Sequence, residues 1–349
     1  MAVSTELLNT TFEEFRGPLV KTFIRNTELL DVLEKKAKMP IVGGTYIERS
    51  MAVGAPARGK GIFVGDELLT LQRRKKIKKL SVEPHRLVVL VTIPKKELLQ
   101  NTGKAAVIRL IEDYPMCTMD GVNADLNSYL LTGVSRDEVF ATSELRGLIT
   151  LNGNIATGIG QGVTNGLIDF DTPANQTDLV QNVLKSEADK IYNQYQDITS
   201  YSTHGWTRLR KVYRNCAHYA GKPKSGPDIV IMDDDTFENY ESSKRSILRL
   251  SLTEDKTERT NMLMNDIGLA EVYSSLDLDR TLFSAAAADG VAYFLNTDWF
   301  DYCLQQAPTM SGFTENVVDQ DVVTAKFEMQ GNLICRKLIA QGACTGGAS

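Results

Sequence analysis

Residues 45–93 contain two strand-like segments that flank a tip rich in glycine and basic residues. The segments cover residues 45–53 and 69–93, and the tip covers residues 55–65. The second segment is polar until Leu87, where the continuous apolar run LVVLVTI is typical of a buried strand. These patterns predict a long β-hairpin that is rooted in a core and extends into solvent. Because an isolated hairpin is only marginally stable and its edges favour further strand contacts, we expect a partner to cover it.

The sequence GAPARGKG at residues 54–61 is similar to the phosphate-binding loop G-x-x-x-x-G-K-[ST]. Gly61 stands where that loop needs a hydroxyl group for Mg²⁺, and Pro56 removes a backbone amide that would bind phosphate. The residues that follow, GIFVGDELLT, do not form a clear helical pattern. A hairpin tip with two cations, Arg58 and Lys60, is therefore the favoured interpretation.

The run RRKKIKK at residues 73–79 is the most basic segment of the chain. One interpretation is nucleic-acid contact or a localisation signal; the other is a solvated hairpin face, or a basic strand that faces an acidic partner. The second is favoured because the run has no interleaved aromatic residues on which bases could stack.

The remaining motifs do not form a catalytic or cofactor-binding set. The glycines of residues 158–166 have the wrong spacing for a dinucleotide-binding loop, and Ser135 lacks the final glycine of a nucleophile elbow. Cys216 and His218 lie two residues apart on a predicted helix and face different ways, which disfavours a shared zinc ion. The acids at residues 233–235 could hold a cation, but carboxylates are common at helix N-termini. We expect no enzymatic activity, no metal and no cofactor.

The net charge and the cysteine pattern indicate which classes of protein this chain resembles. The 349-residue chain has a formal charge of −5 and five cysteines without a C-x-x-C pair. The negative charge disfavours a protein that coats duplex DNA, because phosphate binding needs a cationic surface. The cysteine pattern indicates reduced thiols in a cytoplasmic setting. We expect neither a signal peptide nor a membrane span, since no apolar run approaches about 18 residues.

Hydrophobic periodicity predicts an α+β protein. Helical spacing of apolar residues predicts helices over residues 29–37, 179–195 and 206–216. It also predicts helical structure over residues 107–133, either as one helix kinked at Pro115 or as two helices. Buried strands are predicted at residues 228–232 and in the segments GLAEVYSS and VAYFL, and Asp235 is the expected N-cap of a helix after the first of them.

The C-terminal region has the clearest strand pattern. Apolar and polar residues alternate over residues 323–330, and Gly331 with Asn332 predicts a two-residue turn into LICRKLIA. We therefore predict a C-terminal hairpin, followed by frayed residues 341–349.

The order of these parts is a helical arm, a long basic-tipped hairpin, a long helix, an α/β middle region and final strands. Together with the segments TYIERSMAVGAPARGKGIFVGDELL, PHRLVVLVTIPKKEL, PDIVIMDDDTFENY and GVAYFLNTDWFDY, this order resembles the major capsid proteins of tailed bacteriophages, which have the Hong Kong 97-type fold. The resemblance covers essentially the whole chain.

The resemblance implies five parts. They are an N-arm at residues 1–40, an extended β-hairpin called the E-loop at 41–84, the first part of the peripheral P-domain with its spine helix at 85–133, the axial A-domain at 134–289, and return strands of the P-domain at 290–349. In this family the E-loop lies across a neighbouring subunit, and A-domain loops meet around the five-fold and six-fold axes.

The resemblance also implies a function and partners. It implies that the chain self-assembles as pentamers and hexamers into an icosahedral shell around double-stranded DNA, in a virion assembled in the host cytoplasm. The expected partners are further copies of the chain, a separate scaffolding protein unless the shell forms without one, a portal, a decoration protein and packaged DNA bound without sequence specificity. No membrane is involved. A net negative subunit would let DNA slide during packaging.

In such a shell, weak ion pairs repeated by symmetry suffice for cohesion. The residues that we expect to make contacts between subunits are Arg58, Lys60, Arg73, Arg74, Lys75, Lys76, Lys78 and Lys79.

Two alternatives remain open. One is an encapsulin-like bacterial shell that houses a cargo enzyme instead of a genome. The other is a nucleotide- or nucleic-acid-binding enzyme that uses Lys60, for which ATP binding lost in Lys60→Ala would be the signature.

Overall fold

The described part of the chain contains two five-stranded β-sheets, two small two-stranded sheets and the helices. The structure is a computed structural model, and it describes residues 28–41, 43–52, 77–82, 84–100, 113–122, 179–180, 183–184, 194–198, 201–221, 226–248, 267, 270–275, 290–316 and 322–346.

The described helices are α1 (Glu28–Lys36), α2 (Lys95–Gln100), α3 (residues 113–122), α4 (Trp206–Ala220) and α5 (Asp234–Leu248). A π-helical turn, Tyr201–Gly205, leads into α4, and 3₁₀ turns occupy Thr297–Trp299 and Leu338–Ala340. Of the helices in the described ranges, none is both long and apolar enough to span a bilayer.

The strands of the first half are β1 (Lys38–Pro40), β2 (Ile47–Ala52), β3 (Ile77–Val82), β4 (His85–Pro94), β5 (Leu179–Val180), β6 (Val183–Leu184) and β7 (Gln194–Asp197). Those of the second half are β8 (Ile229–Met232), β9 (Glu271–Ser274), β10 (Ala292–Leu295), β11 (Phe300–Met310), β12 (Thr314–Asn316), β13 (Val322–Cys335) and β14 (Gly342–Thr345).

The first sheet is built around β13. Along one edge β13 pairs antiparallel with β11 and β12, and along the other with β4, while β1 pairs parallel with β11. Between Val323 and Met329 every second side chain of β13 is buried, so the predicted alternation is confirmed. One face of this sheet therefore belongs to the core and the other is more open.

The second sheet has the strand order β7-β14-β10-β8-β9 and is covered on both faces. On one face, Val230, Met232 and Phe294 pack in one cluster with buried residues of α4 and α5. On the other face, Ile231 and Tyr293 belong to the same core as the buried side of the first sheet. Because both faces are buried, β8 is a continuous apolar strand, as its sequence predicted.

Helix α1 packs against its own chain. Leu29, Leu30 and Leu33 are at most 3% exposed and join the core of the first sheet. The Nζ atom of Lys36 lies 2.8 Å from the Asp228 carboxylate, just before β8. The predicted helical arm is thus confirmed for residues 28–36, and its apolar stripe is covered within the subunit.

The predicted turn at Gly331 and Asn332 is wrong, because both residues lie inside the continuous strand β13. They pair with Leu304 and Cys303 of β11. Glycine is needed there for close approach of the neighbouring backbone and not for a reversal of the chain.

The expectation that residues 341–349 are frayed is also wrong for residues 341–346. Strand β14 lies inside the second sheet, parallel to β7 and antiparallel to β10, and Ala343 and Cys344 are buried. Its short length and high glycine content concealed the strand in the sequence.

The helix predicted over residues 179–195 is wrong at every described position. Leu179–Val180 pairs with Val183–Leu184 as a small antiparallel hairpin, and residues 194–197 form β7. Apolar pairs four residues apart fit one face of a helix and also two strands joined by a two-residue turn, so the period could not distinguish them.

The second arm of the predicted hairpin, residues 69–93, contains two separate strands among its described residues. Strand β3 pairs with β2, whereas β4 belongs to the first sheet. In β4, Leu87, Val91 and Ile93 are buried but Leu90 is 60% exposed, so the apolar run is buried on one face only.

Other predicted elements are confirmed. Helix α4 ends at Gly221, whose φ of 85° lies in the left-handed region that glycine favours. Residues 113–122 of the predicted 107–133 helix are helical through Pro115, and the rest of that prediction lies outside the described residues.

The N-cap assignment is wrong: α5 begins at Asp234, so Asp233 is the residue that precedes the helix. The expected domain boundary at residue 290 stays a prediction, and β8 and β10, on either side of it, are paired neighbours.

Candidate intersubunit hairpin

The hairpin of β2 and β3 is rooted in the core of the first sheet. Its register places Ile47 opposite Val82 and Ala52 opposite Ile77. Because side chains alternate along a strand, Ile47 and Arg49 share the inner face of β2. Ile47 is only 3% exposed and belongs to the core of the first sheet, so it fixes the base of the hairpin.

Asp301 of β11 holds this base with two arginines. Its carboxylate lies 3.3 Å from Nε of Arg49 and 3.0 Å from Nε of Arg336. The Asp301 side chain is only 12% exposed, which limits screening of both ion pairs by water. One carboxylate of β11 thereby connects the hairpin to the residue that directly follows β13.

The same cluster extends to the second sheet through Trp299. The Lys337 ammonium lies 4.6 Å and the Arg336 guanidinium 5.7 Å from the centre of the Trp299 ring, both within cation–π range. Lys337 also donates a hydrogen bond of 3.1 Å to the carbonyl of Ala220, at the end of α4. The hairpin base is thus tied to a rigid junction between the two sheets.

The outer face of the hairpin is open to contacts. Lys79, whose side chain is 64% exposed, forms an ion pair with Glu48 across the two strands. Ile77 is 67% exposed, although it is a large apolar side chain. A face that combines an exposed aliphatic residue with cations is suited to a protein partner.

Among the predicted contact residues, the structure places two in β3, namely Lys78 and Lys79. The other six lie outside the described residues: Arg58, Lys60, Arg73, Arg74, Lys75 and Lys76. Their role stays a prediction.

Sequence reasoning missed the anchor of the hairpin. Arg49, Asp301 and Arg336 are far apart in the chain, and no motif links them. The available signal was an acid inside the apolar pattern FDYCL of β11, because a charge on a buried strand requires a partner.

None of the described cysteines is in a disulfide, in agreement with the reduced thiols that the sequence predicted. Four are buried and Cys117 is exposed. Burial raises the pKa of Cys303 to about 11 and that of Cys335 to about 12, so these thiols stay protonated and unreactive at neutral pH.

Chemistry-bearing side chains are scattered in the described part of the chain. Within the described ranges, no three His, Cys, Asp or Glu residues lie close enough to hold a metal ion. Cys216 is buried and His218 is exposed, so they face different ways as predicted. A cleft between the π-helical turn and α5 is lined mainly by hydroxyl and aromatic groups, and burial raises the pKa of its Tyr201.

Solved capsid subunits have the same arrangement of elements. No protein-family model matches the chain, and no curated protein matches it in sequence. The capsid subunit of cyanophage A-1(L) superimposes with a TM-score of 0.54 at 13% identity, covering 91% of this chain and 93% of the other. The capsid subunit of the native GTA particle superimposes with a TM-score of 0.52 at 11% identity, covering 90% of this chain and 89% of the other.

The similarity extends over nearly the full length of all three chains, and at these identities it concerns the fold. The chain therefore has the α+β, Hong Kong 97-type fold of capsid subunits.

Proposed function

We propose that this protein is the major capsid protein of a tailed bacteriophage. In this proposal it assembles as pentamers and hexamers into an icosahedral shell around double-stranded DNA, and its role is structural, not enzymatic. The observation that carries the proposal is the full-length similarity of fold to the two capsid subunits.

The hairpin supports an assembly role. Its base is fixed by Ile47 and by the Asp301 ion pairs, while the outer face exposes Ile77 and Lys79. A rigid base with an exposed outer face is the arrangement that a segment reaching across a neighbour requires. In the proposal the hairpin is the E-loop, and its basic residues meet carboxylates of the adjacent subunit.

The two sheets support the domain assignment that the proposal uses. The sheet around β13 would form the peripheral P-domain together with α3, and the second sheet with α4 and α5 would form the axial A-domain. Strands β10 and β14, from the segment after residue 290, then belong to the A-domain sheet.

The proposed partners follow from the shell. They are further copies of this chain, a scaffolding protein, a portal, a decoration protein and the packaged DNA, in a virion assembled in the host cytoplasm. The formal charge of −5 supports DNA contact without tight binding, since like charges repel phosphate.

The test is to produce the protein alone and together with the products of neighbouring genes. Size-exclusion chromatography with light scattering gives the particle mass, and nuclease digestion followed by extraction identifies the contents. Shells that protect double-stranded DNA support the proposal. Shells filled with a cargo enzyme would show that the protein is an encapsulin-like shell protein. A monomer that binds ATP through Lys60 would show that it is a nucleotide-binding enzyme.

A further inference from the structure

Helix α4 has a cationic solvent face that the hairpin contacts do not use. Its buried stripe consists of Leu209, Val212, Cys216 and Ala220. On the opposite side Arg210, Lys211 and Arg214 are exposed at helical spacing. Among the described residues, no carboxylate forms an ion pair with these three cations.

Helix α5 has the complementary charge. Asp234, Asp235 and Glu238 are exposed in its first turns, whereas Thr236 and Tyr240 are buried. Acids at a helix N-terminus are favoured by the helix dipole, but the dipole does not require three exposed carboxylates. Among the described side chains that are fully exposed, α4 thus presents three cations and α5 three carboxylates.

Both charged helices pack on the same face of the second sheet. Helix α4 packs over β7, β14 and β10, and α5 packs against β9, at the other end of the second sheet. The helices are held together by the stacked rings of Trp206 and Tyr240, whose centres are 5.7 Å apart, and by contact of the Tyr201 hydroxyl with Ser243 at 3.5 Å. The cationic helix thus lies toward the β7 end of the sheet and the acidic helix toward the β9 end.

We propose that the α4 face docks on the α5 face of a second copy of this chain. A contact between the cationic face of one copy and the acidic face of the next joins two different surfaces, so it is head-to-tail and generates a closed ring when the rotation between copies closes. The inference rests on the proposed function, because it assigns this contact to the rings of subunits in the shell.

A second copy fits this face better than DNA does. Three exposed cations on one helix give a small footprint for a phosphate backbone, and the net charge of −5 opposes the approach of DNA. Another copy brings the three exposed carboxylates of helix α5. Charge complementarity of this kind fixes the orientation of partners and rejects the wrong register.

The test exchanges the charges of the two faces in the full-length chain. Lys211→Glu with Arg214→Glu makes the α4 face acidic, and Asp234→Lys with Glu238→Lys makes the α5 face basic. Each double variant is expected to fold, by circular dichroism, and to form no shells. The quadruple variant has the wild-type net charge and is expected to assemble again. Lys211→Arg with Arg214→Lys keeps both charges and serves as the matched control.

Mixing the two double variants sharpens the test. Every contact between unlike variants joins opposite charges, so alternating rings with an even number of subunits should form. Electron microscopy should then show six-membered rings without five-membered rings, and therefore no closed icosahedral shells. Five-membered rings in the mixture would overturn the head-to-tail geometry.

The remaining outcomes separate this inference from the proposed function. If the wild-type chain forms shells and the folded quadruple variant does not, the pairing of the two faces is wrong. If the α4 variant forms normal shells that retain less DNA, the cationic face contacts DNA instead. If the wild-type chain remains a monomer with all its neighbouring gene products, the proposed function fails and the contact fails with it.

Discussion

The backbone of Gly331 lies directly against the carbonyl group of Cys303 on the neighbouring strand. A β-carbon at residue 331 would stand 2.4 Å from the Cys303 carbonyl oxygen, closer than real contacts allow. The obstacle is backbone in the middle of a sheet, so it cannot move aside as a flexible side chain would. We predict that Gly331→Ala lowers the free energy of unfolding by about 1–3 kcal/mol.

Urea denaturation followed by circular dichroism measures this loss. The matched control is Gly121→Ala in α3, where no atom lies within 4 Å of the added carbon. Because alanine is the better helix former, that variant should gain about 0.5–1 kcal/mol. Equal stabilities of the two variants would contradict the close approach at β13.

Asp233 should make the stability of the fold depend on pH. Burial raises its pKa from the ordinary 3.8 to about 6, although hydrogen bonds from Thr236 and Val291 oppose the shift. The folded state therefore binds this proton more tightly than the unfolded state does. Its contribution to the free energy of unfolding is greatest below pH 4, falls as the pH rises to 6, and totals about 3 kcal/mol.

Asp233→Asn keeps the acceptor for the Val291 amide, at 2.9 Å in the native chain, but it does not titrate. We expect the stability of the variant relative to the native chain to rise between pH 4 and pH 7. Chemical denaturation at half-unit steps of pH gives the free energy of unfolding of both chains as a function of pH. Subtracting one curve from the other cancels the contribution of the other carboxyl groups. A difference that is flat over this range would mean that Asp233 is not the titrating group.

Asp301→Asn should loosen the base of the hairpin. The variant leaves Arg49 and Arg336 without their shared carboxylate, which costs about 1–3 kcal/mol because the site is partly screened from water. Trypsin should then cut sooner at the lysines and arginines between residues 53 and 79. Asp31→Asn, which breaks the exposed pair with Lys35, is the control and should leave the cleavage rate unchanged.

Replacing residues 56–64 by a short turn tests the role of the hairpin tip. Because Ile47 and Arg49 still anchor the base, the subunit should stay folded and soluble, yet it should assemble poorly. The milder variant Arg58→Ala with Lys60→Ala shows whether the two cations carry the effect. Normal shells from the deletion would remove the hairpin from the intersubunit contacts.

The sequence correctly predicted helices and strands where the spacing of apolar residues fits only one kind of element. The stripe around Leu209 and Val212 predicted α4, and the alternation from Val323 to Met329 predicted the buried face of β13. The order of the segments predicted the fold that the capsid subunits share.

Contacts between segments that are far apart in the chain could not be predicted from the sequence. Gly331 was interpreted as a turn residue, since nothing local shows that β11 passes beside it. The apolar pairs at residues 179–184 fitted a helix and a small hairpin equally well. The Asp301 anchor and the charge match between α4 and α5 depend on contacts or packing that bring distant segments together.

In the proposed function, copies of this chain form rings of five and six in a closed shell. We would test this first by cryo-electron microscopy of particles purified with the products of neighbouring genes. We expect an icosahedral reconstruction into which this fold fits, with the hairpin across an adjacent subunit. A persistent monomer, or a particle whose subunit density does not accept the fold, would contradict it.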